Sequence, residues 1–123
     1  MRHVDALVAA LGKGDIVLLV ATCAHMNVHE VFGHKSSHPP APVLLSLIQQ
    51  LTSNMSADLS LKATWVREAA MSLDRTHDVF ETHARDVLAD ALGALEFAYG
   101  GCTDQALASE LRTCMHVVRA QLA

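Results

Sequence analysis

Residues 42–74 read PVLLSLIQQLTSNMSADLSLKATWVREAAMSLD, and the spacing of their apolar side chains decides the fold class. Pro42 sits where proline is favoured, in the first turn of a helix, because its missing N–H would have had no intrahelical partner. Leu44, Leu47, Ile48, Leu51 and Met55 then recur at i, i+3, i+4, i+7 and i+11, which is one face of an α-helix. Ser46, Gln49, Gln50 and Ser53 fall away from that face. Ser56 or Asp58 ends the turn and starts a second helix reaching to about Asp74. Its buried face is Leu59, Val66, Ala69, Ala70 and Leu73, and its outer face carries Lys62, Arg67 and Glu68. Trp65 lies beside the buried face. It is either core or an interface anchor, and the apolar stripe next to it favours core.

The same period extends outward in both directions. Upstream, Val4, Leu7, Val8 and Leu11 predict a helix over residues 3–11, which Gly12-Lys13-Gly14 breaks. Asp15 is the expected N-cap of a helix from Ile16 to about Ala24, apolar nearly all round and so expected at the centre of the core. Residues 27–33 predict a short helix stopped by Gly33, and His34 to Ala41 has the Ser- and Pro-rich chemistry of a loop. Downstream, Asp78 and Glu81 fit a capping box, and Glu81 with Arg85 is a favourable i, i+4 pair. Phe80, Ala84, Val87, Leu88, Ala91, Leu95 and Ala98 form the stripe of this long helix, which Gly100-Gly101 ends. Thr103 or Asp104 caps a last helix burying Leu107, Leu111, Cys114, Met115, Val118 and Leu122. No segment alternates as a strand would. The expectation is an all-α domain over residues 1–123: a compact stack of about six or seven helices in antiparallel hairpins, resembling HEAT or armadillo units. No fixed-period self-similarity marks a true repeat array.

Composition agrees with this and narrows the function. Half the residues are apolar but only 4% are aromatic, so the core is built from Ala, Leu and Val, which let helices approach closely. Nine basic against thirteen acidic residues leave a net charge of −4, with Lys and Arg scattered. That argues against direct contact with nucleic acid or an anionic membrane, both of which select basic patches. The longest apolar run, Ile16 to Ala21, is far short of the ~20 residues of a membrane span. Cys23, Cys102 and Cys114 are odd in number and form no C-x-x-C pair, which reads as reduced cysteines in a cytosolic protein.

The histidines carry the strongest hint of catalysis. His25, His29, His34 and His38 fall close together near Cys23, and a zinc-dependent hydrolase would use such a cluster. However, His29-Glu30-Val31-Phe32-Gly33-His34 is one residue too long for a metalloprotease helix. An i, i+5 pair points about 140° apart, so the two imidazoles cannot share a metal on one regular helix. There is no G-x-S-x-G, Gly12-Lys13-Gly14-Asp15 lacks the remaining glycine and spacing of a phosphate loop, and the acidic residues of the long helix read as a solvated face. No enzyme and no cofactor is expected.

One family resemblance does emerge, from Pro42-Val43-Leu44-Leu45-Ser46-Leu47-Ile48-Gln49-Gln50-Leu51. This block resembles the C-terminal domain of the enhancer of mRNA decapping family, large WD-repeat scaffolds. A second block agrees: Leu61-Lys62, Trp65, Glu68-Ala69, Met71 and Leu73-Asp74. A third is Val31-Phe32-Gly33, with weaker agreement from Ile16 to Cys23. Beyond Asp78 the match is mainly helical pattern, and Val79 stands where the family often has proline. The resemblance implies an all-helical, non-catalytic interaction domain from the end of a much longer scaffold. Such a domain localises to cytoplasmic processing bodies and docks the decapping enzyme, its activator and the decay exonuclease. On this basis the candidate protein-contacting residues are Gln49, Gln50, Lys62, Arg67, Glu68 and Asp74, polar positions on helices whose apolar faces are already committed. Plain solvation is the alternative for each. Self-association of the scaffold through exposed helix faces is the alternative function.

Overall fold

A computed structural model describes residues 2–32, 39–73 and 81–122. Among these, seven helices and no strand are found: α1 (Arg2–Gly12), α2 (Ile16–Ala24), α3 (Val28–Phe32), α4 (Ala41–Thr52), α5 (Leu59–Met71), α6 (Glu81–Gly100) and α7 (Gln105–Leu122). The all-helical expectation holds, with most boundaries within a residue or two; α4, however, ends at Thr52, short of Met55, and α5 ends at Met71, short of the expected Asp74. Gly33, His34, His38, Asp74, Asp78 and Phe80 lie outside the described residues, as do the side chains of Glu81 and Val4; so do the capping box and the Glu81–Arg85 pair that rest on them. No described helix is long and apolar enough to cross a membrane.

Local chemistry starts several of these helices. Asp15 is extended (φ −105°, ψ 109°), and its carboxylate accepts from the amides of Val17 and Leu18. Asp104 does the same for the first turn of α7, accepting from Ala106 N at 2.9 Å and Leu107 N at 3.2 Å. Pro40 precedes α4 in extended conformation, with Pro42 in the first turn as expected. Asp58 opens α5 differently: its backbone is left-handed (φ 55°) and its side chain makes no capping bond.

Three hairpins, α1–α2, α4–α5 and α6–α7, are the building units, and a single cluster of buried side chains runs through all of them. They are not laid down in simple sequence order. The largest interface joins α5 to α7, α4 packs on both α5 and α6, and α5 and α6, although consecutive, scarcely touch. The centre is therefore shared by α4 and α5, and is not α2. Leu44, Leu47, Ile48 and Leu51 are buried as the period predicts, and Leu45 and Thr52 are buried too, so α4 is enclosed on more than one side. Each fully buried leucine here contributes about 1.5–3 kcal/mol through area removed from water.

The expectation for α2 is corrected. Only Leu19 and Cys23 are buried on it, while Val17 is 74% exposed and Leu18 is also open to solvent. The α1–α2 hairpin packs as an outer unit, so an all-apolar helix ends with one face uncovered. Trp65, by contrast, is core: it is 3% exposed and meets Phe32 edge-on, with ring centroids 5.7 Å apart. That contact is the main anchor for the short helix α3, which among the helices packs chiefly on α5.

Candidate protein-interaction surface

The described part of the proposed catalytic cluster does not converge. His25 and His29 are exposed, and no group of three or more His, Cys, Asp or Glu side chains among the described residues could hold a metal ion. Cys23 and Cys114 are buried, and burial pushes each thiol up to about 12, so neither offers a thiolate near neutral pH.

The six candidate contact residues separate by environment. Gln49 is exposed on α4. Gln50 is half-buried and spoken for: its Nε2 donates to the Leu11 carbonyl at 3.1 Å and to Ser46 Oγ at 3.2 Å, tying α4 to the end of α1. Lys62 is a correction. It was expected on the outer face of α5, but it is 2% exposed, and its ammonium donates to the Asn54 carbonyl just beyond α4. Desolvation lowers its pKa below the usual lysine value, with Asp58 opposing that shift. Arg67 and Glu68 are half-buried neighbours with Nε and Oε2 3.7 Å apart. α7 packs along α5, with Arg67 near Cys114, so part of the face that the helical period left solvent-facing is covered. Asp74 lies outside the described residues.

What the surface offers instead is apolar. Val17, Leu18 and the exposed Ala21 and Ala24 lie on α2, a helix with no charged residue. Val8 flanks a shallow groove of about 240 Å³ between α1 and the start of α4, lined also by Gly12, Pro42, Val43 and Ser46. A larger cleft of about 570 Å³ lies between the end of α2 and the start of α5, where Met26, Val28, Leu61 and the rim of Trp65 meet Asp58 and Ser60. Phe97, on α6, is 87% exposed. Sequence reasoning passed over it because it falls off the buried stripe; that offset was itself the signal, since a large aromatic on the solvent side of an amphipathic helix lacks an intramolecular reason to be there.

Comparison with known proteins agrees with the sequence blocks. Residues 2–114 match the family described as Enhancer of mRNA-decapping protein 4, C-terminal. The chain is similar to the human Enhancer of mRNA-decapping protein 4, 36% identical over 85 residues, which are 69% of this chain and 6% of that protein. Its zebrafish (Danio rerio) counterpart is 36% identical over 84 residues, 68% of this chain and again 6% of the relative. The Drosophila melanogaster homolog is 30% identical over 81 residues, 66% of this chain. This chain therefore spans only a small part of these relatives' length. The fold is similar to that in the crystal structure of the conserved C-terminal region of Ge-1, with a TM-score of 0.80 at 24% identity, covering 94% of this chain and 86% of that one. With the family pattern running through nearly every helix, this chain belongs to the family of the C-terminal region of enhancer of mRNA-decapping protein 4.

Proposed function

We propose that this chain is a non-catalytic protein-docking domain, the terminal part of a longer mRNA-decapping scaffold that it directs to cytoplasmic processing bodies. There it holds decapping and decay factors: the decapping enzyme, its activator or the decay exonuclease. The observation that carries this is the uncharged outer face of α2, with Val17 74% exposed, on a helix that the fold could have buried but does not. Exposed apolar faces of this kind mark association sites on otherwise well-packed domains. Family membership supports the decapping context, and the small share of the relatives' length supports a part of a larger protein. Gln49, with the half-buried Arg67 and Glu68, is proposed to add polar contacts around such a surface; Lys62 and Gln50 act through the fold.

The test is retention of each purified decapping and decay factor on the immobilised chain, compared with a Val17→Asp, Leu18→Asp double variant. Val17 is 74% exposed and Leu18 37%, so a circular-dichroism melt of the double variant first establishes that it is folded. At least one factor should be retained and lost in the variant; retention of none, or equal retention by both proteins, overturns the proposal. A second reading, self-association, is favoured by the same absence of charge on α2, which lets two copies meet without repulsion. Sedimentation that shifts with concentration, and returns to monomer in the double variant, would select it.

A further inference from the structure

The long helix α6 has a second unpartnered face. Its buried side is Val87, Leu88, Ala91 and Leu95. On a helix advancing ~100° per residue, Asp86, Asp90, Gly93 and Phe97 fall within an arc of about 60° on the opposite side, along about 16 Å of its length. All four are exposed. Phe97 therefore cannot reach the core by changing rotamer.

Gly93 adds an independent oddity. A glycine inside a helix is destabilising relative to alanine, and it is retained where something must approach closely. Here nothing among the described residues lies within 4 Å of where a Cβ would stand, so no described neighbour requires it. Gly93 leaves a shallow notch one turn before the exposed ring.

Charge selects the occupant. Asp86 and Asp90 have no ion pair among the described residues. The cations nearby are engaged: Arg85 donates to the Leu122 carbonyl at 3.2 Å, and Arg119 faces Glu96 at 3.8 Å. A second copy fits poorly. Parallel pairing of two α6 faces sets each aspartate against itself, and antiparallel pairing about Gly93 sets Asp90 against Glu96. Nucleic acid and anionic lipid are repelled by the same carboxylates.

We propose that the face of α6 from Asp86 to Phe97 docks a basic protein segment. The segment places an apolar side chain over Gly93 beside Phe97 and a lysine or arginine against Asp90 and Asp86. An arginine could also lie over the Phe97 ring as a cation–π partner. This proposal rests on the docking function above and assigns it a second surface, separate from α2.

Short random peptides displayed on phage, selected on the 123-residue chain and counter-selected on Phe97→Ala, test it. Enriched sequences should combine Lys or Arg with large apolar residues. Synthesised winners should lose about tenfold or more in affinity with Phe97→Ala and with Asp86→Lys, Asp90→Lys, and should weaken as salt is raised. Gly93→Ala should raise the thermal midpoint yet weaken peptide binding, a split that a purely structural glycine would not produce. Acidic or neutral winners, no enrichment, or affinity indifferent to Phe97→Ala each overturn the proposal. Winners lost only in Val17→Asp, Leu18→Asp also overturn it while leaving the docking function intact, as does a dimer abolished by Phe97→Ala.

Discussion

Reversing the charge of Lys62 separates the surface reading of α5 from the buried one. In Lys62→Glu, the ammonium that donates to the Asn54 carbonyl is replaced by a shorter carboxylate, in a site where the residue is 2% exposed. The charged hydrogen bond lost is worth about 1.5–3 kcal/mol. The new carboxylate stands near Asp58 with no cation to pair it, and an uncompensated buried charge costs about 3–5 kcal/mol. The variant should thus lose several kcal/mol, a large fraction of the ~5–15 kcal/mol available to a domain of this kind. Lys62→Met keeps the aliphatic stem and sheds the desolvation cost of the ammonium. The Asn54 carbonyl then turns to water, since Asn54 is exposed, and the net change should stay within about 1.5 kcal/mol. Urea unfolding followed by tryptophan emission measures both, because Trp65 is the only tryptophan and is packed on Phe32. A Lys62→Glu midpoint equal to the parent's would refute the buried assignment. Equal damage from Lys62→Met would place the effect in packing and not in charge.

Asp15→Ala removes the acceptor of two first-turn amides of α2, and Asp104→Ala does so for α7. Each should cost about 0.5–2 kcal/mol by chemical denaturation. Gln50→Ala should cost about 1 kcal/mol and raise amide exchange in the α1–α2 hairpin, whose link to α4 through the Leu11 carbonyl is lost. Stability should fall as pH rises from 9.0 towards about 12, because the unfolded chain ionises Cys23 and Cys114 there while the folded chain keeps both thiols protonated. The contribution is fully present below pH 9 and is lost at roughly 1.4 kcal/mol per pH unit per cysteine. Lys62 acts in the opposite direction: with its folded pKa lowered, stability rises as the pH climbs from below that value towards the unfolded lysine value of 10.5. A Cys23→Ala, Cys114→Ala variant followed across this range should lose the downward slope; an unchanged slope would assign it to other groups.

The candidate surface was less legible in the sequence than the fold. Periodicity placed Leu47, Ile48, Leu51, Val66 and Leu111 in the core, since one apolar stripe at a 3.6-residue period needs only some partner to cover it. It could not say which polar residues a second helix would also cover. Lys62 and Arg67 looked solvent-facing on α5 alone, but α7, lying more than 30 residues further along the chain, packs on α5 beside Arg67, and the turn after α4 takes up Lys62 through the Asn54 carbonyl. The reverse error occurred on α2, where uniform hydrophobicity suggested the centre. Hydrophobicity measures what a helix could bury, whereas its place at one end of the packing order left Val17 in water.

The two ends of the helices show the same division. The Asp15 cap was readable directly and that of α7 was narrowed to Thr103 or Asp104, because Asp15 and Asp104 bond to amides two and three residues ahead, within reach of local geometry. Carbonyls at the C-terminal ends are satisfied by side chains from far away: Gln50 reaches Leu11, Gln121 reaches Ala70 at 2.7 Å, and Arg85 reaches Leu122. By itself the sequence determined approximate helix positions, the Asp15 cap and the all-α class, all set by interactions within a few residues. Only the tertiary structure decided which helix is central, which polar side chains become fasteners and which apolar ones stay exposed, because those outcomes depend on contacts between segments that are distant along the chain.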